Sequence, residues 1–406
     1  MSKKLDADII IVGGGLAGLT LTTLLAQQDF KVICIDREDL KFKSAADQRT
    51  TVISYGSQRI IERTTIWDKL LPFACPIHDI EILDGQSSVL MDFSNNDLKA
   101  EIGNDSENAF GWVIENKKLK ENLSKAVQGE KNATHLISSI VKDFNIQEDR
   151  ATITLENNKS YSASLIIGAD GRQSTTRDYM KVETKKWAYD QTALVCMVEH
   201  EHPHNNIAIE HFQASGPFAI LPLLDDKKGH HRSTLIWTQD NKNTDSAFNY
   251  SDETFKAALN ARFPKKYGRI TPIGKRFSYP LSFIHAKEYI KPRMALIADA
   301  AHAIHPVAGQ GLNLGLRDIS ALVDVLTEAK KNAQDIGDIE ILKKYQAIRK
   351  PDNTAMAITT DGLNKIFSNN IAPVKLLRKI GLRAMQRVKP SKRLFLRQAM
   401  GIAGTK

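Results

Sequence analysis

The chain has 406 residues, 42% of them hydrophobic, which is enough for a large core and for two closely joined domains. Its three cysteines, Cys34, Cys75 and Cys196, are too few and too scattered for a disulfide framework or a cysteine-based metal site, so we expect a reducing, cytoplasmic compartment. The net charge of +9 is concentrated after Asp361, where eleven basic residues and no acidic residue occur.

The first segment of the chain predicts a βαβ unit. Residues 8–12 are a continuous apolar run, residues 16–28 have helical spacing, and residues 32–36 are apolar again. Because the first apolar run stops at glycines, we expect neither a signal peptide nor a membrane span there.

The turn between the first strand and the helix has the spacing of a dinucleotide-binding turn. Gly13 permits a tight turn, Gly15 lets the backbone approach a pyrophosphate, and Gly18 lets the helix pack on the strand. Asp36 lies eighteen positions after Gly18, where a carboxylate can accept the hydroxyls of a ribose. This combination favours a bound dinucleotide over a simple glycine-rich turn, and FAD is the natural candidate.

Two strand-rich regions follow the βαβ unit. The first contains short runs that return to the first sheet, at residues 151–155 and 165–169. The second predicts an antiparallel sheet in a separate domain, with strands at 193–198, 208–212, 218–223 and 233–238. A buried strand is then expected at 295–298, and the pattern is mainly helical from Leu312 onward.

Two more motifs follow apolar strands. Asp170 and Arg177 lie in a segment that, taken alone, could be an ordinary Asp-Gly turn. Asp299 precedes a glycine-rich loop, in which Gly309 and Gly311 leave backbone donors free beside the start of a helix. Such a place can receive a phosphate or the edge of an electron-rich ring.

Together these elements resemble the single-component aromatic hydroxylases that use FAD, and within them the ubiquinone-biosynthesis monooxygenases. The resemblance implies that the FAD-binding positions are Gly13, Gly15, Leu16, Ala17, Gly18, Asp36, Arg37, Arg49, Asn116, Asp170, Arg177, Asp299, Gly311, Leu312 and Asn313. It implies a catalytic loop against the flavin ring, formed by Pro306, Gly309, Gln310 and Gly311. It also implies a substrate-facing strand with the side chains of Phe218, Ile220 and Pro222.

The fold implied by the resemblance is a mixed α/β (α+β) fold. It has a Rossmann-like FAD-binding domain, an inserted antiparallel-sheet substrate domain and a helical C-terminal tail. The FAD-binding domain would be discontinuous, over residues 1–75, 100–180 and 285–345. The substrate domain would comprise residues 76–99 and 181–284, and the basic helical region residues 346–406.

The activity implied by the resemblance is hydroxylation of a polyprenylated phenol ring in ubiquinone biosynthesis, with NAD(P)H and O2, through a flavin C4a-hydroperoxide. The sequence has one dinucleotide-binding turn, so NAD(P)H is expected to visit the flavin without a domain of its own. No side chain is assigned as acid or base. A prenyl-chain reductase, a hydroxylase of another small aromatic and a non-catalytic FAD-binding assembly protein are the alternatives, whereas a nucleic-acid binder lacks a supporting motif.

One position departs from the family pattern. The family usually has glycine immediately before the aspartate that binds the ribityl chain, and this chain has Ala298. Because a methyl group there requires a negative φ, we expect a compatible backbone and normal cofactor binding.

The histidines predict no metal site, because they lack the cysteine or carboxylate ligands that would complete one. His302 and His305 are explained by the flavin loop. The others are expected in solvated strand ends, loops or an exposed turn, and these are His200, His202, His204, His211, His230 and His231.

The basic tail is amphipathic between Val374 and Val388. Apolar residues share one helical face, and the opposite face carries Lys375, Lys379, Arg383 and Arg387. The apolar face can pack on the enzyme body. Alternatively, the tail contacts an acidic partner or an anionic membrane at the inner face of the cytoplasmic membrane, which would suit a polyprenyl substrate. Both interpretations stay open.

Overall fold

The computed structural model describes residues 4–39, 49–85, 89–103, 108–213, 216–241, 247–305, 309–367, 381 and 386–402. The strands of this part of the chain are β1 (Ile9–Val12), β2 (Val32–Ile35), β3 (Thr50–Ser54), β4 (Cys75–Ile77), β5 (Asp79–Asp84), β6 (Met91–Phe93), β7 (Gly111–Glu115), β8 (Ala133–Leu136), β9 (Val141–Ile146), β10 (Ala151–Leu155), β11 (Ser160–Ala163), β12 (Leu165–Gly168), β13 (Thr184–His200), β14 (Ile207–Gln213), β15 (Gly216–Leu223), β16 (His231–Asp240), β17 (Ile270–Ala286), β18 (Ile290–Lys291), β19 (Met294–Leu296) and β20 (His302–Ala303). The α-helices are α1 (Leu16–Gln27), α2 (Tyr55–Glu62), α3 (Trp67–Leu70), α4 (Asn95–Ile102), α5 (Asn116–Gly129), α6 (Thr175–Tyr179), α7 (Asp252–Arg262), α8 (Gln310–Lys331), α9 (Ile339–Phe367) and α10 (Lys389–Ala399).

A six-stranded sheet in the order β18-β19-β12-β1-β2-β8 carries three of the sequence motifs. Strands β19, β12, β1, β2 and β8 are parallel, and β18 is an antiparallel edge strand. Every residue of β1 and β2 is buried, as expected for parallel strands that are covered on both faces. The carboxyl ends of the parallel strands meet at one edge of the sheet, so the segments after β1, β2, β12 and β19 converge there.

An eight-stranded sheet in the order β20-β17-β13-β16-β15-β14-β5-β6 forms a second layer. Its pairs are antiparallel apart from the parallel pair of β14 and β5. Its outer face packs under α7 through a core that includes Phe218 and Trp237. Its inner face packs towards the three-stranded sheet β3-β7-β4, through a cluster that includes Met197, Leu223 and Val113.

The mixed α/β fold predicted from the sequence is confirmed, and some boundaries differ. Strand β13 spans 17 residues, much more than the predicted 193–198. Helix α8 begins at Gln310, two residues before the predicted start. The division into an FAD-binding domain, a substrate domain and a C-terminal region stays a prediction.

Helix α10 shows where part of the basic tail lies. Arg393 and Arg397 pair with Glu101 on α4, and Lys392 pairs with Asp97 on the same helix. These three positive charges are therefore paired with two carboxylates of the body, which offset two of them. The predicted amphipathic stretch lies outside the described residues, except for Gly381 and its last three positions. No helix within the described ranges is long and apolar enough to cross a membrane.

Candidate cofactor and substrate site

The glycine turn after β1 is closely packed on its protein side and open on the other. A Cβ atom at Gly13 would lie 2.4 Å from the Ala169 carbonyl oxygen, and one at Gly18 would lie 1.8 Å from the Gly13 oxygen. Gly15 differs, because no described protein atom outside its chain neighbours lies within 4 Å of its Cβ position. Gly15 is exposed at the N-terminus of α1, and Leu16 follows it, so the turn forms an open cradle that suits an anionic phosphate.

Asp36 lies beside this cradle with one oxygen unpaired. It is 4% exposed, and its Oδ1 accepts a hydrogen bond from the Glu38 N–H at 3.0 Å. Its Oδ2 is buried without a hydrogen-bond partner in the described structure, and Lys120 Nζ lies 3.9 Å away. A buried unpaired carboxylate oxygen costs free energy, so this atom is available to a ribose hydroxyl. Arg37 is exposed next to it, and Ala17 is half-buried in the first turn of α1.

Asp170 and Arg177 make their hydrogen bonds within the protein. The Asp170 carboxylate accepts hydrogen bonds from Ser174 Oγ at 2.5 Å and from the Thr176 N–H at 3.0 Å, which fixes the start of α6. The Arg177 guanidinium donates to the Ala300 carbonyl at 3.0 Å. These bonds join the segment after β12 to the segment after β19. Both side chains therefore help to position these segments, and their assignment to the cofactor stays a prediction.

The turn after β19 corrects the expectation for Ala298. Its φ is 51°, which is left-handed and unfavourable for alanine, whereas a negative φ was expected. The Ala298 Cβ lies only 2.7 Å from the position that a Cβ atom at Gly315 would occupy. The next residue, Asp299, is half-buried, and its Oδ2 lies 3.4 Å from Arg172 Nε. An accessible carboxylate on this turn is available to the hydroxyls of a ribityl chain.

A buried polar network holds this turn from behind. Asp318 on α8 accepts the Ala298 N–H at 3.0 Å, His302 Nε2 at 2.5 Å, Arg349 Nε at 2.8 Å and Asn353 Nδ2 at 2.9 Å. Burial alone would raise the pKa of Asp318, but the charges of His302 and Arg349 and the hydrogen bonds hold that pKa well below its usual range. His302 therefore helps to position the turn through Asp318.

The start of α8 keeps an open backbone edge. Pro306 lies outside the described residues, and the structure resumes at Gly309, which has a left-handed φ of 63°. Gln310 is buried, and its Oε1 has no hydrogen-bond partner among the residues described. At Gly311, no described protein atom beyond its local backbone lies within 4 Å of a Cβ position. This edge can receive the edge of a flat ring.

Asn313 joins the start of α8 to β3. Its Oδ1 accepts the Ser54 N–H at 3.0 Å, and its Nδ2 donates to the carbonyls of Val52 at 2.8 Å and Gly309 at 3.0 Å. Both amide hydrogens are therefore used inside the protein, so the side chain helps to position the start of α8. The assignment of Asn313 to the cofactor stays a prediction. Leu312 is half-buried and packs on the main core.

Arg49 and Asn116 lie at the same end of the β3–β7 pair, where the Asn116 N–H donates a hydrogen bond to the Arg49 carbonyl at 2.9 Å. The Arg49 guanidinium carbon lies 5.5 Å from the centre of the Tyr279 ring on β17. Asn116 begins α5, and its Oδ1 accepts the Thr51 hydroxyl at 2.6 Å. Arg49 thus links the β3 segment to the eight-stranded sheet.

The residues assigned to substrate from the sequence lie on the outer face of β15, and their assignment stays a prediction. Phe218 and Ile220 are buried in the outer-face core under α7. Pro222 shares this face, because alternate residues of a strand point to the same side. The inner face of β15 presents Ala219 and Leu221 instead, and Leu221 packs against the inner-face cluster.

Two of the histidines expected in solvent are buried. His200 and His204 form hydrogen bonds with β16 and β15 respectively, which removes them from the expected solvated strand end. Glu199, Asp226 and His230 have ligand atoms within 4.8 Å of one another near the surface. Such acidic groups are common without a metal, and we assign none to them.

Comparisons with known proteins agree with this geometry. The family model described as FAD binding domain matches residues 6–360. The ubiquinone hydroxylase UbiL of Rhodospirillum rubrum is 39% identical over 397 residues, which cover 97% of this chain and 90% of that protein. The chain belongs to this family of FAD-dependent monooxygenases. FAD is its cofactor, and the open glycine cradle and the unpaired Asp36 oxygen fit that cofactor.

Other similar proteins support the family and the fold of this monooxygenase. The 3-demethoxyubiquinol 3-hydroxylase of Escherichia coli is 31% identical, and the match covers 97% of this chain and 98% of that protein. The crystal structure of p-nitrophenol 4-monooxygenase PnpA from Pseudomonas putida has a TM-score of 0.79 over 98% of both chains, at 16% identity, which supports the fold alone.

Three residues near the site were missed from the sequence. Lys120 and Arg172 approach Asp36 and Asp299, and both come from segments whose proximity is a tertiary property. The sequence does single out Asp318, because it is a charged residue among the apolar positions of α8. A charge on the buried stripe of a helix requires a partner inside the protein.

Proposed function

We propose that this monooxygenase hydroxylates the aromatic ring of a polyprenylated phenol in ubiquinone biosynthesis, with NAD(P)H and O2 as co-substrates. The observation that carries the proposal is the apolar inner face of the eight-stranded sheet, which adjoins the start of α8. Such a face suits an apolar aromatic substrate. The names of the similar ubiquinone hydroxylases support the substrate class.

The cofactor is assigned to the converging edge of the six-stranded sheet. Bound FAD supplies the redox chemistry that activates dioxygen. The ribose is assigned to Asp36, the pyrophosphate to the N-terminus of α1 at Gly15, and the ribityl chain to Asp299. The flavin ring is assigned to the start of α8 with Pro306, Gly309, Gln310, Gly311 and Leu312. The apolar inner face would exclude water beside that ring.

Labelled dioxygen tests the reaction directly. With ¹⁸O₂ and a prenylated phenol, one labelled oxygen atom is expected on the product ring, as read by mass spectrometry. Product whose new oxygen comes from water, or that forms equally well without dioxygen, would contradict a monooxygenase reaction. Turnover that needs no dioxygen and adds no oxygen atom would favour the reductase alternative.

The assignment of Asp299 has its own test. Asp299→Ala removes charge-assisted hydrogen bonds worth about 1.5–3 kcal/mol, so FAD should dissociate more readily. FAD content after gel filtration is the measurement. Asp324→Ala is the matched control, because Asp324 lies on the exposed side of α8 and pairs with Arg63. Equal FAD retention in both variants would contradict the assignment.

The C-terminal region is proposed to contact an anionic membrane, or an acidic partner there, at the inner face of the cytoplasmic membrane. Three basic residues of α10 pair with α4, and these are Lys392, Arg393 and Arg397. The proposal therefore concerns the segment before α10. Each cation near an anionic surface contributes about 1 kcal/mol, and salt weakens the attraction. The test is a variant in which glutamine replaces four residues: Lys375, Lys379, Arg383 and Arg387. This variant should lose liposome binding but keep its FAD. Unchanged liposome binding and unchanged activity on long-chain substrate would mean that this segment only packs on the enzyme body.

A further inference from the structure

One cross-strand row on the inner face of the eight-stranded sheet contains a single acidic residue. Residues opposite one another on paired strands share a face. The register of β5, β14, β15, β16, β13 and β17 places these residues side by side in this order: Ile82, Glu210, Ala219, Ile236, Val195 and Phe277. Glu210 is therefore the ionisable group of an otherwise apolar row.

This row lies between two packed clusters that reach the start of α8. Val52 packs against the first cluster, and its side chain lies 3.4 Å from the position that a Cβ atom at Gly309 would occupy. The other contains Ile304 and Leu314, which flank the same loop. Within the described ranges, Ile82 packs against the first cluster and Ile236 against the second. Three other apolar residues of the row belong to neither cluster: Ala219, Val195 and Phe277. The row therefore lies between apolar clusters that extend to the assigned position of the flavin ring.

Glu210 has no partner in the described structure. Its neighbours along β14 on the same face are Ala208 and Phe212, and its neighbours on the adjoining strands are Ile82 and Ala219. It keeps part of its surface accessible and makes no hydrogen bond or ion pair with the residues described. Burial raises the pKa of its carboxyl to about 7. A carboxyl without a partner in an apolar wall destabilises the folded protein, and a hydrogen bond from a polar group of a ligand offsets this cost.

We propose that Glu210 binds the phenolic hydroxyl of the aromatic substrate and accepts its proton while the ring is oxidised. The inference rests on the proposed function, because it requires that the substrate is a phenol. With the hydroxyl at Glu210, the ring lies along the apolar row, and this row borders the start of α8.

The proton transfers balance over one turnover. As a ring carbon bonds to the oxygen atom from dioxygen, the phenolic O–H bond breaks, its proton moves to Glu210, and the phenolic oxygen becomes a carbonyl. Two electrons of the ring reduce the transferred oxygen as the O–O bond breaks, and the second oxygen atom leaves as water with two electrons supplied by NAD(P)H. When that ring carbon loses its hydrogen as a proton to solvent, Glu210 returns its own proton to the carbonyl oxygen, and the ring is aromatic again. General base assistance of this kind contributes about 10²–10⁴-fold to a rate.

Three variants of the FAD-loaded enzyme test the proposal. E210Q keeps a polar group but cannot accept the proton, so we expect KM within about threefold of wild type and kcat about 10²-fold lower. The rise of wild-type kcat/KM with pH through about 7 should be absent in E210Q, because the ionised form of Glu210 is the active one. E81Q is the matched control, because Glu81 lies on β5, pairs with Lys266 and points to the outer face. It should behave as wild type.

E210L separates a role in substrate binding from a role in folding. Leucine removes an unpaired carboxyl from an apolar wall, so the melting temperature should be equal or higher. Binding of the phenol, followed by flavin fluorescence, should weaken at least about tenfold, or about 1.4 kcal/mol. Wild-type binding and an unchanged pH profile in E210Q and E210L would overturn the proposal, as would a lower melting temperature with unchanged binding. Failure of the wild-type enzyme to hydroxylate any phenol would instead overturn the proposed function.

Discussion

The two halves of the cofactor site are built in different ways. The half after β1 and β2 is a local motif, in which close backbone approaches set the shape of the turn and Asp36 supplies one unpaired oxygen. The half around Asp299 and the start of α8 depends on side chains from distant segments. Asn353 is 35 residues from Asp318, and Ser54 is 259 residues from Asn313. We therefore expect the second half to respond more strongly to changes in side-chain charge.

The largest effect is expected for Asp318→Asn. The substitution leaves His302 and Arg349 in a buried site without their carboxylate, so the free energy of unfolding should fall by about 3–5 kcal/mol. Urea unfolding measures this change. Asp324→Asn, on the exposed side of the same helix, should change stability by less than about 1 kcal/mol. Similar losses in the two variants would show that the network does not hold the flavin half together.

Two glycine variants separate packing from binding in the other half. Gly18→Ala places a methyl group against the Gly13 oxygen, so stability should fall by about 1–3 kcal/mol. Gly15→Leu meets open space and an ordinary φ of −73°, so the fold should survive. Its FAD affinity should fall at least about tenfold, because the side chain enters the space assigned to the pyrophosphate. Full FAD occupancy in Gly15→Leu would reject that assignment.

The dependence of stability on pH should come partly from the flavin half. Burial lowers the pKa of His305 to about 4, and burial with the charge of His302 lowers the pKa of His285 to about 4. Between pH 6.5 and 4 the unfolded chain binds more protons than the folded chain, so stability falls as the pH falls. Each histidine contributes up to about 1.4 kcal/mol per pH unit. His305→Gln should make the fall shallower, and His202→Gln, at an exposed position, is the control.

The smallest effect is expected at Ala298. Glycine at this position removes the strain of a φ of 51° and the crowding against Gly315, and it also makes the unfolded chain more flexible. The two effects oppose each other, so Ala298→Gly should stabilise the protein by no more than about 1 kcal/mol. Thermal unfolding of the FAD-free protein measures this. A large loss of stability would mean that the methyl group contributes packing that outweighs its strain.

The sequence predicted what depends on local spacing. The βαβ unit, the glycine turn and the position of Asp36 follow from residues close together in the chain, and the observed elements agree within one or two residues. The left-handed φ of Ala298 was missed, because the contact that accompanies it is the hydrogen bond from the Ala298 N–H to Asp318, twenty residues away in the chain.

Choosing the face of a strand was the other difficulty. Phe218 and Ala219 are adjacent, but one is in the outer-face core and the other is on the inner face. A shift of one residue reverses every side chain of a strand, and β15 is apolar on both faces, so the sequence gives no alternation to distinguish them. Glu210, two strands from the sheet edge, is the polar residue that marks the inner face of β14.

The order of strands in the six-stranded sheet has a consequence for how the protein is made. Strand β12 pairs on one side with β1 and on the other with β19, whose residues follow it by more than a hundred positions. During synthesis the six-stranded sheet therefore cannot be completed until the ribosome has passed Leu296. Most strands of the eight-stranded sheet are made before that point. Pairing over such separations is slow and leaves strand edges exposed. We expect newly made chains to need chaperone protection before the sheet closes.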